Sequence, residues 1–159
     1  MKILFTSVGR RVELVQAFRS AAERLKISLE IYGADITESA PALYFCDYKV
    51  IVPRIKDSRY IPVLKEICER EGIDVLIPTI DTDLLLLSEH RSEFGFTNVV
   101  ISDPDKIRVC RDKRLTADYF QSLGLHSPLP VDNIEHYSME FPAFIKPKDG
   151  TSSVFAYKA

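Results

Sequence analysis

Short apolar runs alternate along this chain with longer segments in which apolar residues recur every three or four positions. Lys2–Thr6 (KILFT) is a continuous run of strand length. Val12–Leu25 follows with Val12, Leu14, Val15, Phe18, Ala21, Ala22 and Leu25 on helical spacing. Leu29–Ala34 (LEIYGA) reads as a second strand, closely followed by Asp35. Strand, helix and strand in that order form a βαβ unit, which requires parallel pairing and a right-handed crossover.

The alternation continues. Asp47–Pro53 reads as a third strand, and Ser58–Glu71 as a helix with Ser58 as N-cap and Gly72 as its stop. Asp74–Pro78 is a fourth strand, Thr82–His90 a short helix and Asn98–Ser102 a fifth strand. Pro104 to about Val109 is a helical turn capped by Asp103, and Asp112 caps a further helix over Lys113–Leu123 that ends at Gly124. Ser127–Tyr137 reads as a short strand within loops, Phe141–Lys146 as the last clear strand and Val154–Lys158 as its hairpin partner. The expected fold class is α/β: a Rossmann-like parallel sheet of about five strands, then a different, antiparallel-looking α+β segment. The change of pattern places a domain boundary near residues 110–114.

Composition narrows the function classes. The chain has 159 residues, 46% of them hydrophobic, enough for a sizeable core. Its 21 basic and 23 acidic residues leave a net charge of −2, which gives no reason to expect nucleic acid or an anionic membrane as partner. Arg108, Arg111, Lys113 and Arg114 nevertheless form a local basic cluster. Cys46, Cys68 and Cys110 are widely spaced and odd in number, so they read as small core hydrophobes in a reducing compartment. The N-terminus runs directly into a strand, and no apolar run is long enough to span a bilayer, so a cytoplasmic protein is expected.

Candidate chemistry collects at strand ends. Ser7-Val8-Gly9-Arg10-Arg11 lies where a Rossmann-like fold puts its phosphate loop, but a G-x-G-x-x-G fingerprint is missing, which argues against a nicotinamide or flavin. Gly9 and Arg10 are candidate substrate contacts; the other reading is a turn with a solvated arginine pair. Asp81, after the fourth strand, is a candidate to bind a substrate amine or to order that loop; the other reading is that Asp81 or Thr82 caps the next helix. Asp35 reads as a turn residue. His90, His126 and His136 have no metal-ligand spacing and are assigned to surface or turn positions, and neither a metal site nor a catalytic residue is assigned. Lys113 stands at a helix start, where a cation is disfavoured. Lys146 ends a strand and precedes the polar loop Lys148-Asp149-Gly150-Thr151-Ser152-Ser153. A lysine followed by such a loop suits a polyphosphate, because the ammonium meets phosphate oxygens while amides and hydroxyls fold over them.

On these residues the sequence resembles the ATP-grasp superfamily. ILFTSVGRRVELVQAF, YGADI and DVLIPTIDTDLLLLS are similar to its N-terminal, pre-ATP-grasp domain, a Rossmann-like substrate domain. VISDPDKIRVCRDKRLTADYFQSLGLHSP is similar to the junction, and FPAFIKPKDGTSSV to the first strand and loop of the nucleotide-binding part. The resemblance is nearest to the carbamoyl-phosphate-synthase large-subunit and biotin-carboxylase-like branch. It implies that residues 1–111 are the substrate domain and residues 112–159 the beginning of the ATP-grasp domain. It also implies that Lys113 and Lys146 contact ATP phosphates beneath a lid loop containing Gly150, Thr151, Ser152 and Ser153. The reaction class would be ATP-dependent ligation, in which a carboxylate is phosphorylated and an amine attacks the acyl phosphate, with lysines and Mg2+ neutralising developing charge.

The family's adenine hinge, ribose-binding acid and magnesium ligands belong to segments beyond this length. The expectation is an N-terminal portion of a ligase, inactive alone, with small carboxylate and amine substrates. A homodimer or a separate chain would complete the fold. The rival reading is a free-standing Rossmann-like binding module without catalysis.

Overall fold

The computed structural model describes residues 1–150 and 154–159. The chain divides into two compact units, Met1–Asp103 and Pro104–Ala159; the sequence pattern alone suggested a change after residue 111.

The first unit is a five-stranded parallel sheet in the order β3-β2-β1-β4-β5. Its strands are β1 (Lys2–Thr6), β2 (Glu30–Asp35), β3 (Tyr48–Ile51), β4 (Val75–Pro78) and β5 (Asn98–Val99), and its helices are α1 (Val12–Leu25), α2 (Tyr60–Glu71) and α3 (Asp81–Glu89). β1 is central, with Leu4 opposite Tyr32 of β2 on one side and Leu76 of β4 on the other. Alternation along β1 divides the core between the two faces. Ile3 and Phe5 pack with Val15 of α1, Ile31 and Leu43, whereas Leu4 packs with Tyr32, Leu64 of α2, Leu76 and Leu87 of α3. The phenyl rings of Phe5 and Phe18 meet edge to face, with centroids 5.0 Å apart.

Several local expectations are corrected. Ser58 does not cap α2; Arg59 holds that position, and the entry is made by Asp57, whose carboxylate accepts the Arg59 amide at 2.9 Å and pairs with its guanidinium. Neither Asp81 nor Thr82 caps α3, which begins after Ile80 without a side-chain cap. The fifth strand stops at Val99 rather than Ser102. Val100 N still donates to Leu76 O at 2.9 Å, but the returning bond needs an amide from residue 78, and Pro78 has none.

The second unit contains α4 (Pro104–Arg111), α5 (Lys113–Ser122) and the antiparallel pair β6 (Phe144–Ile145) and β7 (Tyr157–Lys158). The expected strand within Ser127–Tyr137 is absent among the described residues; Asn133 instead caps a single 3-10 turn over Ile134–His136. Cys68 is buried, but Cys110 is exposed and so is not the core hydrophobe that its type suggested. Among the described residues, no helix is long and apolar enough to cross a membrane.

Candidate functional site

In the first unit, the strand order reverses between β1 and β4, and ligands of open parallel sheets bind outside the carboxyl ends of the strands at such a point. The turn after β1 and the segment after β4 meet there. Thr79 Oγ1 lies 2.8 Å from both Thr6 O and Ser7 O and donates between them. Asp35, at the end of β2, accepts the Gly9 amide at 2.8 Å through Oδ2 and the Ile36 amide through Oδ1. Asp35 is therefore more than a turn residue, because it fixes the β1 turn from the neighbouring strand. Ser7 adopts φ 53° and Gly9 φ 49°. The left-handed region is strained for a serine and persists only where surroundings over-determine it. Here Thr79, Asp35 and the Val8 N to Ala34 O bond hold it.

Beneath this turn lies a group that motif reading passed over. Asp83, in the first turn of α3, is fully buried, as is Thr6, and Tyr60 is 1% exposed. Asp83 Oδ2 accepts Thr6 Oγ1 at 2.9 Å, Tyr60 OH at 3.1 Å and Ser7 Oγ at 3.4 Å. Its Oδ1 is buried without a hydrogen-bond partner among the described residues. Burial pushes the Asp83 carboxyl above its ordinary value, against the pull of its hydroxyl donors. Burial and the Asp83 charge likewise push the Tyr60 phenol up. The available signal was an acid placed immediately before a four-leucine run, where one face must be buried. Of the predicted candidates on this edge, Gly9 is half-buried within the turn, while Arg10 and Asp81 are exposed on the two segments that meet.

In the second unit, Asp112 caps α5 as the sequence suggests, accepting the Arg114 amide at 2.9 Å. Arg114 pairs with Asp112 and Asp132, each at 3.0 Å, and the first of these contacts holds the Asp112 carboxyl well below the usual carboxylate range. Lys113 meets the loop after β6. Its amide donates to Lys148 O at 2.9 Å, and its Nζ lies 2.9 Å from Pro147 O, 3.0 Å from Gly150 O and 3.3 Å from Lys148 O. Lys146 is exposed beside the same loop. The predicted residues Thr151, Ser152 and Ser153 lie outside the described residues. Among the described residues, no group of three or more His, Cys, Asp or Glu could hold a metal ion.

Several solved structures share this fold. The L-amino acid ligase from Bacillus licheniformis superposes with a TM-score of 0.71 at 14% identity, over 99% of this chain and 38% of that one. The biotin carboxylase domain of Hydrogenobacter thermophilus 2-oxoglutarate carboxylase, solved with ADP, magnesium and bicarbonate, gives 0.72 at 14% identity, over 99% and 37%. N5-carboxyaminoimidazole ribonucleotide synthetase from Thermotoga maritima gives 0.64 at 20% identity, over 99% and 40%. The chain thus spans about two fifths of the length of these enzymes. Among curated proteins, none matches the sequence. The fold is the one that the resemblance to the ATP-grasp superfamily implied: the first unit has the parallel, Rossmann-like sheet expected of a pre-ATP-grasp domain. Residues 3–101 match the family model described as PylC-like, N-terminal domain, and the chain belongs to that family.

Proposed function

We propose that this chain is the N-terminal part of an ATP-dependent ligase that joins a small carboxylate to an amine, or works by carbamoyl phosphate-type chemistry, through an acyl phosphate. In this reading the first unit is the substrate domain and the second opens the nucleotide-binding domain. One observation carries the proposal: Lys113 and the loop after β6 meet within hydrogen-bond distance, although 34 to 37 residues separate the contacting partners. Two segments picked out separately for polyphosphate chemistry thereby form one place. Lys146 and Lys113 would supply charge to ATP phosphates there, with Gly150 in the covering loop. ATP itself would supply the phosphoryl group that activates the carboxylate. In this reading magnesium would accompany the nucleotide, with its ligands supplied from outside this chain.

Gly9, Arg10 and Asp81 are proposed as substrate contacts, because the β1 turn and the start of α3 share the carboxyl edge. The second unit leaves Phe141, Phe144 and Phe155 at least 68% exposed. That surface suits the inner face of a domain completed by further chain, by a second copy or by a separate subunit, as the reading requires.

The chain alone is expected to lack ligase activity and to bind Mg-ATP no tighter than about millimolar, near −4 kcal/mol. Amide shifts during an ATP titration should change first at Lys113, Lys146 and residues 148–150. Unchanged shifts there at several millimolar ATP would remove the phosphate-binding reading.

The rival, a free-standing small-molecule binding module, is favoured by the family match ending at residue 101, within a unit that has its own two-sided core. Hydrogen exchange separates the two. Strong protection over residues 1–103 with little beyond residue 104 would favour the module.

A further inference from the structure

Lys113 directs its amide and its ammonium onto one short segment. An ammonium carries three protons and accepts nothing. Three carbonyl oxygens, of Pro147, Lys148 and Gly150, lie 2.9, 3.3 and 3.0 Å from it. Lys148 O also takes the Lys113 amide at 2.9 Å, so this carbonyl ties the loop to both the side chain and the first residue of α5. The segment is tightly folded: a β-carbon on Gly150 would lie 3.0 Å from Pro147 Cβ and 3.2 Å from its Cγ. Lys146, two residues before Lys148, is exposed, and no carbonyl takes its ammonium among the described residues.

We infer that Lys113 is a positioning residue that clamps residues 147–150 against the start of α5, and that a polyphosphate can reach its ammonium only by displacing those carbonyls. The inference rests on the phosphate-binding reading above. With all three protons directed at carbonyls, Lys113 has no donor in reserve for a phosphate oxygen. A phosphate oxygen carries formal charge and a carbonyl does not, so the exchange runs toward phosphate once enough is present. The clamped loop and the phosphate-bound lysine are then alternative states, and the clamp lowers the apparent affinity for polyphosphate by its own stability. Lys146 makes the first contact, and Lys113 follows when the loop lets go.

The test uses the 159-residue chain with inorganic tripolyphosphate as probe. Trypsin cuts after Lys148 but not after Lys146, which precedes proline. Cleavage at Lys148–Asp149 is measured by mass spectrometry against cleavage after the exposed Lys26 in the first unit. Lys113→Met keeps the side-chain stem and removes the three donors. It should raise relative cleavage at Lys148 about tenfold or more, since cleavage follows the open population, and Lys113→Arg should restore part of the protection. In the wild type, isotope-labelled NMR should show tripolyphosphate moving the Lys113 ammonium signal and the carbonyl signals of Pro147, Lys148 and Gly150 with one midpoint. Wild-type cleavage in Lys113→Met, with its first-unit spectrum intact, overturns the clamp. A Lys113 shift that leaves the three carbonyls in place overturns the exchange. If tripolyphosphate moves neither Lys113 nor Lys146, the phosphate reading of this site falls and the exchange with it, while the cleavage result decides the clamp separately.

Discussion

Replacing Asp83 should loosen the carboxyl edge of the first unit in a way that depends on the replacement. Asp83→Ala removes the acceptor used by Thr6 at 2.9 Å and Tyr60 at 3.1 Å, both effectively without solvent contact. Each stranded buried donor costs about 1–3 kcal/mol, so two give roughly 2–6 kcal/mol. Relief comes from removing a buried carboxyl whose Oδ1 has no partner, and from hydroxyls that rotate to new acceptors. The net loss should be about 2–4 kcal/mol. Asp83→Asn keeps an acceptor and abolishes titration. Because burial raises the Asp83 carboxyl above its ordinary value, the folded chain keeps a proton over a pH range in which the unfolded chain has lost it. Stability from this group is therefore present below the ordinary value and declines as pH rises toward the folded value, then levels off. The Asn variant lacks that decline and should gain on the wild type across the same interval. Urea unfolding followed by far-UV circular dichroism from roughly pH 4 to 8 measures both effects. Parallel pH profiles for wild type and Asp83→Asn, or an Ala variant within about 0.5 kcal/mol of wild type, would refute the reasoning.

Gly33→Ala would put a β-carbon 2.6 Å from Cys46 Sγ and 3.0 Å from Leu43 Cδ2; it should cost about 1–3 kcal/mol as overpacking, and Cys46→Ala in the same chain should recover much of it in urea melts. Burial pushes the Cys46 and Cys68 thiols up to about 11, so a thiol reagent at pH 8 should modify the exposed Cys110 quickly and the other two only on unfolding. In a chain carrying the whole nucleotide-binding domain, Lys146→Ala should weaken ATP use by about 1.5–3 kcal/mol with little change in melting temperature, and an unchanged Michaelis constant and rate would return Lys146 to the ordinary surface.

The parallel sheet was legible because its central strands are buried on both faces and so read as continuous apolar runs; β1 and β4 fall within a residue of their expected limits. The edge strand β5 was overestimated because apolar content says nothing about whether a neighbour can supply the next amide, and Pro78 cannot. The meeting of the β1 turn with the segment after β4 follows from parallel topology alone. The roles of Asp35, Tyr60 and Asp83 do not, since they depend on which side chains turn inward across distant strands. Asp81 attracted notice as the exposed first acid of α3, while the acid two residues later does the tethering. Lys113 drew notice through its awkward place at a helix start, and α5 does begin there. Its contact with three carbonyls could not be read from residue types, because backbone acceptors leave no mark in a sequence.

The central place of β1 has a consequence for synthesis. The strand made first has neighbours on both sides, and they arrive at different times. β2 follows closely and can close one flank, but β4 ends at Pro78. About forty residues, or roughly 2–8 s at about 5–20 residues per second, separate β2 from that point. For that interval a nascent chain carries an open flank on a strand whose Leu4 and Phe5 end fully buried, a template for pairing with any other strand that comes near. Slowing translation between residues 36 and 74 should therefore raise the fraction lost to aggregation, whereas the same delay placed after residue 103 should not.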